Sequence, residues 1–187
     1  MYYIIEVYSI YERRIILLKD MQEFEQIIYD ICNNQTVQKM KNYKQHYDTS
    51  CYEHCKNVAF ISYKICKKLK LDYKSTARAA MLHDLFLYNW RERQDGRKGL
   101  HAFTHPKTAL ENAKKLFVLS EKEEDIILKH MWPLTVKLPK YPESYVVTLA
   151  DKYSAICESC IYYRETIFSK KMLRFAYIFF SLFFIKI

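Results

Sequence analysis

The chain has 187 residues, half of them hydrophobic, and a formal charge of +9 at pH 7. That length suits one domain with one sizeable core, and the apolar content excludes a disordered chain. Two glycines and four prolines are too few turn residues for a β-rich fold, so the expected class is all-α, a single-domain helical bundle.

A basic balance suits acidic partners such as nucleotides or phosphate esters. The sequence is also rich in Tyr, Ile, Asn and Lys, a mix that AT-rich coding produces. A solvated surface therefore explains most of the charge, and no stable nucleic-acid partner is expected.

Residues 1–18 are apolar and aromatic around Arg13-Arg14 and fit either a strand or a helix. The start MYYIIEVYSIYERR lacks the pattern of a signal peptide, so a cytoplasmic location with reduced thiols is expected. Cys157 and Cys160 form C-x-x-C, and Cys51 and Cys55 share a helix face, but with Cys32 and Cys66 they match no zinc module and read as small apolar residues. Asp20 is a candidate N-cap for a helix through Cys32, with Phe24, Ile27, Ile28 and Ile31 as its apolar stripe. Residues 35–45 read as a short basic helix.

A helix is expected from about Cys51 to Lys70. Asp72 and Ser75 are candidate caps for the next, ending near Trp90. The stretch 91–103 holds Gly96 and Gly99 and reads as a loop. Thr104 and Pro106 start another helix. Ser120 and Glu123 form a capping-box pattern for a helix that stops at Pro133. A loop over 133–142 leads into a helix from Glu143 to about Tyr163. The apolar run Phe175–Ile185 falls short of the roughly 20 residues a membrane span needs. It reads as a core or interface helix, and no transmembrane segment is expected. The organisation is thus an N-terminal segment over 1–45 packing on the core, a site-bearing domain over 46–165, and an apolar helix or tail over 166–187. A homo-oligomer is compatible with it.

Five of these helices place polar residues on apolar faces. His54 lines up with Val58, Ile61 and Ile65. Asp84 shares a side with Ala77, Ala80 and Leu87, with His83 adjacent. His105 leads Ala109, Ala113 and Leu116. Ile126 and Ile127 precede His130, and Val147 precedes Asp151. Spacings of three, four and seven turn each inward. One inward histidine is commonly a satisfied core residue. An inward carboxylate costs several kcal/mol unless it is paired or bound to metal. Four inward histidines and two inward aspartates are explained most economically by a shared cation, of the kind imidazole and carboxylate favour together: Fe, Mn, Zn, Co or Ni.

The order His54, His83-Asp84, His105, His130, Asp151 resembles the HD-domain superfamily of metal-dependent phosphohydrolases. The adjacent pair in ML-HD-LF is that family's namesake, and the resemblance covers residues 46–160. It implies one metal held by His54, His83, Asp84 and Asp151. The two further histidines, His105 and His130, match the dinuclear subtype, in which they hold a second metal and Asp84 bridges both. The implied cofactor is two divalent transition-metal ions. The implied activity is hydrolysis of a phosphate ester or anhydride, on a nucleotide or other small phosphorylated metabolite, by a metal-bridging hydroxide. The Gly-Tyr-Pro signature of the family's cyclic-dinucleotide phosphodiesterases does not occur. Two alternatives stay open: a mixed-valent di-iron oxygenase with the same ligands, and a non-catalytic ligand-sensing or interaction module.

Asp84, Lys152 and His101 are the candidate catalytic residues, and His46, Arg91, Lys152 and Trp132 the candidate substrate contacts. Lys152 follows the last aspartate and could reach a phosphate oxygen or point to solvent. His101 lies four residues before His105, beside a basic loop with Arg91, Arg93, Arg97 and Lys98 that could close on phosphate or simply be solvated. His46 precedes His54 by one or two helical turns. Trp90 and Trp132 lie near the ligands, either as packing aromatics or as a wall for a base.

Overall fold

The computed structural model describes residues 2–92 and 99–167, and the side chains of residues 14–92 and 99–165. Among the described residues it is an all-α bundle with one small hairpin. Arg93, Arg97, Lys98 and the apolar run Phe175–Ile185 lie outside the described residues.

Helix α1 (Tyr2–Ile27) is continuous, which settles the ambiguity at the N-terminus in favour of helix. Asp20 is not a cap but sits mid-helix and buried, where it pairs with Lys64 and, at 2.8 Å, with Lys67. Its neighbour Glu23 also pairs with Lys67 and accepts from the hydroxyls of Tyr63 and Tyr73, each at 2.9 Å. These partners lie 40 or more residues away, and local capping logic does not see them. Phe24 packs its ring on Phe60 and Tyr63, and Ile28 and Ile31, four and seven residues on, are buried in the core with it.

Short helices α2 (Tyr29–Cys32) and α3 (Gln35–Gln38) follow, the second capped by the Asn34 side chain. The expected helix over 35–45 ends early. A 3-10 turn over Lys39–Asn42 gives way to strand β1 (Lys44–His46), paired antiparallel with β2 (Thr49–Ser50). Tyr47 makes the turn with a left-handed φ of 49°.

Helix α4 (Cys51–Lys68) opens on a capping box between Ser50 and Glu53. It closes with Lys70 in the left-handed region and the Leu71 N–H donating to the Cys66 carbonyl at 2.9 Å, a Schellman ending. Helix α5 (Tyr73–Leu82) is capped by Asp72 as expected but stops at Leu82, not near Trp90. In a helix, adjacent side chains point about 100° apart. Leaving the helix at this point lets His83 and Asp84 face one site. Helix α6 (His101–Leu116) begins three residues before Thr104, so Pro106 lies inside it and forfeits the bond to the Ala102 carbonyl. Helix α7 (Glu121–Lys129) has the predicted Ser120–Glu123 capping box and ends just before His130. Helix α8 (Pro142–Ile167) runs past Tyr163.

Helix α4 packs against α5 and α8, α7 lies against α5, α6 and α8, and α1 covers the outer side of α4 and α5. The core runs from Phe24, Ile28 and Met40 through Val58, Tyr63 and Met81 to Phe86, Ile126 and Val147. No helix among the described residues is long and apolar enough to cross a membrane.

Candidate metal centre

The bundle brings all six expected ligands to one place. His54 comes from the buried face of α4, shared with Cys51, Cys55 and Val58. His83 is the residue that ends α5, and Asp84 follows it. His105 lies on α6, His130 ends α7, and Asp151 lies on α8. The four histidines are buried, Asp84 is 2% exposed and Asp151 is half-buried. Two of the six thus stand at helix exits and one just beyond, where the helix-face spacing did not place them.

Each histidine is held by Nδ1. His83 bonds the Ala80 carbonyl at 2.7 Å, His105 that of His101 at 2.9 Å, and His130 that of Ile127 at 2.8 Å. A carbonyl only accepts, so each Nδ1 carries a proton and each Nε2 faces inward, able to coordinate a cation once it carries no proton. His54 Nδ1 lies 3.1 Å from both carboxylate oxygens of Glu158, with the same consequence.

The Nε2 atoms then converge on the carboxylates. His54 Nε2 is 3.0 Å from Asp151 Oδ1, and His83 Nε2 is 3.8 Å from the same oxygen. His105 and His130 Nε2 are 3.1 and 3.5 Å from Asp84 Oδ1 and 2.8 Å from each other. His83 Nε2 and Asp84 Oδ1 are buried without a well-formed hydrogen bond. His54, His83 and Asp151 form one group able to hold an ion, and His83, Asp84 and His130 another. Converging lone pairs and orphaned buried donor atoms are what a cation satisfies. The residues present therefore fit a divalent metal.

Burial opposes the charge on Asp84, but His83 and His105 outweigh it and hold the carboxyl well below the usual range. Asp151 is likewise pushed far down, against its burial, by His54 and His83. Burial lowers the pKa of His130, which keeps it neutral and able to ligate. His54 stays well above the ordinary imidazole value, since Asp151 and Glu158 outweigh the burial. A proton and a cation compete for its Nε2.

A cavity of about 350 Å³ opens on this cluster, a size suited to a small ligand. Asp84, His105, His130 and Asp151 line it, together with His46, His101, Lys152 and Trp90. His101 stacks between Trp90 and His105 and bonds the Tyr88 hydroxyl at 3.1 Å. The His46 ring meets His54 edge-on at 5.1 Å, and burial lowers its pKa. Lys152 donates to the carbonyls of Trp132 at 2.9 Å and Thr148 at 3.4 Å. Trp132 is not among the cavity's lining residues: its indole packs on Tyr145, and only its carbonyl serves the site, through Lys152. Arg91 is exposed, lies over Trp90 at 4.8 Å and reaches the Gln45 carbonyl at 3.4 Å.

Two residues of the site were not expected. Gln45 on β1 is buried and donates through Nε2 to Asp84 Oδ2. Glu158 is the partner of His54. The spacing of seven from Asp151, on one helix, was a signal for Glu158. Gln45 is 39 residues from its partner and left none.

The HD-domain family matches residues 51–156, more than half of the chain. The chain belongs to the HD-domain family. No curated protein and no solved structure matches it. HD domains are for the most part metal-dependent hydrolases, and the His/Asp clusters of this HD domain could hold a divalent metal.

Proposed function

We propose that this HD domain is a phosphohydrolase with two divalent transition-metal ions, cleaving a phosphate ester or anhydride of a nucleotide or another small metabolite. The observation that carries the reading is the convergence of four imidazole Nε2 atoms with the carboxylates of Asp84 and Asp151, of which Asp84, His105, His130 and Asp151 line a ligand-sized cavity. In this reading His54, His83, Asp84 and Asp151 hold one ion, and Asp84, His105 and His130 the other. A pair of such ions supplies Lewis acidity that polarises a phosphoryl oxygen and acidifies water.

The chain's own residues do the rest. The carbonyls of Ala80, His101 and Ile127 fix the ring orientations, so no imidazole has to turn as substrate binds. Gln45 occupies one oxygen of Asp84 and leaves the other facing His105 and His130. An ammonium has three donors. Two of those on Lys152 are taken by carbonyls, and the third serves a phosphate oxygen on the cavity wall. His46 and His101 face the substrate from the other walls, and Arg91 adds positive charge at the rim beside Trp90.

The test is an anaerobic screen of nucleotides and phosphate monoesters with manganese-loaded protein, with Asp84→Ala as the blank. Phosphate release without oxygen is expected, because polarising a phosphoryl group needs no change of oxidation state. No anaerobic turnover, together with oxygen-dependent turnover of a phosphonate or polyol by the iron form, would replace the hydrolase by a di-iron oxygenase.

A further inference from the structure

Three of the four histidines at the centre rest their Nδ1 on main-chain carbonyls; His54 rests its own on a carboxylate. Glu158 follows Asp151 by seven residues on α8, two helical turns along the same face. The two therefore grip one imidazole from opposite edges: Asp151 Oδ1 lies 3.0 Å from Nε2, and both Glu158 oxygens lie 3.1 Å from Nδ1. The Glu158 side chain is 8% exposed, and no lysine or arginine of the described residues pairs with it.

We infer that Glu158 is a positioning residue of the metal centre, holding His54 in its Nδ1–H tautomer and adding a third negative charge. The inference rests on the two-ion reading above. A carboxylate behind the ring makes its Nε2 a stronger donor than a carbonyl does. The charge balance points the same way. Two divalent ions bring four positive charges, Asp84 and Asp151 return two, and in a buried site that surplus is costly. Glu158 removes one more and leaves the ions and their carboxylates with a single positive charge, to which Lys152 adds its own, facing an anionic substrate.

Charge and geometry separate by substitution. Glu158→Gln keeps the shape and an oxygen that accepts from Nδ1 but loses the charge; Glu158→Ala loses both. Metal-stripped full-length proteins are reloaded with manganese in competition with a chelator, bound ions are counted by elemental analysis, and the manganese spectrum is recorded by electron paramagnetic resonance. The melting temperature of each metal-free protein controls for folding. Affinity is expected to fall about ten- to a hundredfold in Glu158→Ala and by a smaller factor in Glu158→Gln. The loss falls on the ion beside His54, while the ion at His105 and His130 is retained. Wild-type affinity in either variant overturns the inference. If the Ala variant does not fold, the isosteric Gln variant decides. Folded wild-type protein that binds no manganese overturns the metal reading itself, and this inference with it.

Discussion

His105 and His130 present their Nε2 atoms to each other at 2.8 Å while each Nδ1 is committed to a main-chain carbonyl. With each Nδ1 proton on the far side, both Nε2 atoms face one point beside Asp84 Oδ1. A cation at that point would be coordinated by both rings. Protein loaded with manganese or iron should carry close to two ions per chain by elemental analysis. Asp84→Ala should remove most of them, and His105→Ala mainly one. Folded protein free of metal under every loading condition contradicts this.

Stripping the ions should destabilise the fold, because Asp84 and Asp151 then lose their shared counter-charge in a buried site. An ion at a hundredfold its dissociation constant stabilises by about 2.7 kcal/mol. For a chain of this size that raises the melting temperature by about 5–10 °C. Identical melting curves with chelator and with manganese would mean the ligands do not assemble.

Gln45→Ala should lower metal affinity or turnover about ten- to a hundredfold, the usual effect of removing a partner that orients a ligand. Its amide is buried and holds Asp84 Oδ2. Gln45→Glu should be worse, since it sets a second carboxylate against Asp84. Chelator competition and elemental analysis check both, and unchanged affinity in each would remove Gln45 from the site.

Asp125 ties α7 to the loop before α8. It accepts from the Lys140 N–H at 2.9 Å and the Ser144 hydroxyl at 2.7 Å, and pairs with Lys129. Burial works against its charge, but Lys129, Lys140 and Ser144 outweigh it and hold the carboxyl below its ordinary 3.8. A folded-state value below the unfolded one stabilises fully above the unfolded pKa, and that stability is lost as pH falls through the folded value. Asp125→Asn should therefore cost about 1.5–3 kcal/mol at neutral pH. The deficit should shrink in acid, as read from denaturant midpoints across pH. A deficit constant with pH would show that shape, not charge, is what matters there.

What the sequence made legible depended on how local the cause was. Polar residues at inward helical spacings marked His54, His105 and Asp151, and the Ser120–Glu123 box marked the start of α7. The exit of α5 before His83-Asp84 was hidden, because Leu85 and Phe86 continue an apolar pattern that fits a longer helix. Asp20 looked like a cap because the lysines that hold it lie on another helix. The hairpin carrying Gln45 and His46 was invisible for a similar reason: it is a short stretch of mostly polar residues with no period, and it packs on α4 and on α8, the second of them distant in the chain. Trp132 was expected at the substrate wall from its place in the chain, yet the direction of its ring is decided by Tyr145.

His83 and His130 each stand at the carboxyl end of a helix and bond a carbonyl of its last turn. The peptide dipoles of α5 and α7 therefore converge with their negative ends at the same spot. Such an end behaves as a fraction of a negative charge that no titration removes and no side-chain substitution deletes. The bundle thus offers a cation a favourable potential written in the backbone. Variants that lose one acidic ligand should retain part of their preference for cations over anions, and lengthening either helix by a residue should disturb the centre more than many changes to the residues around it.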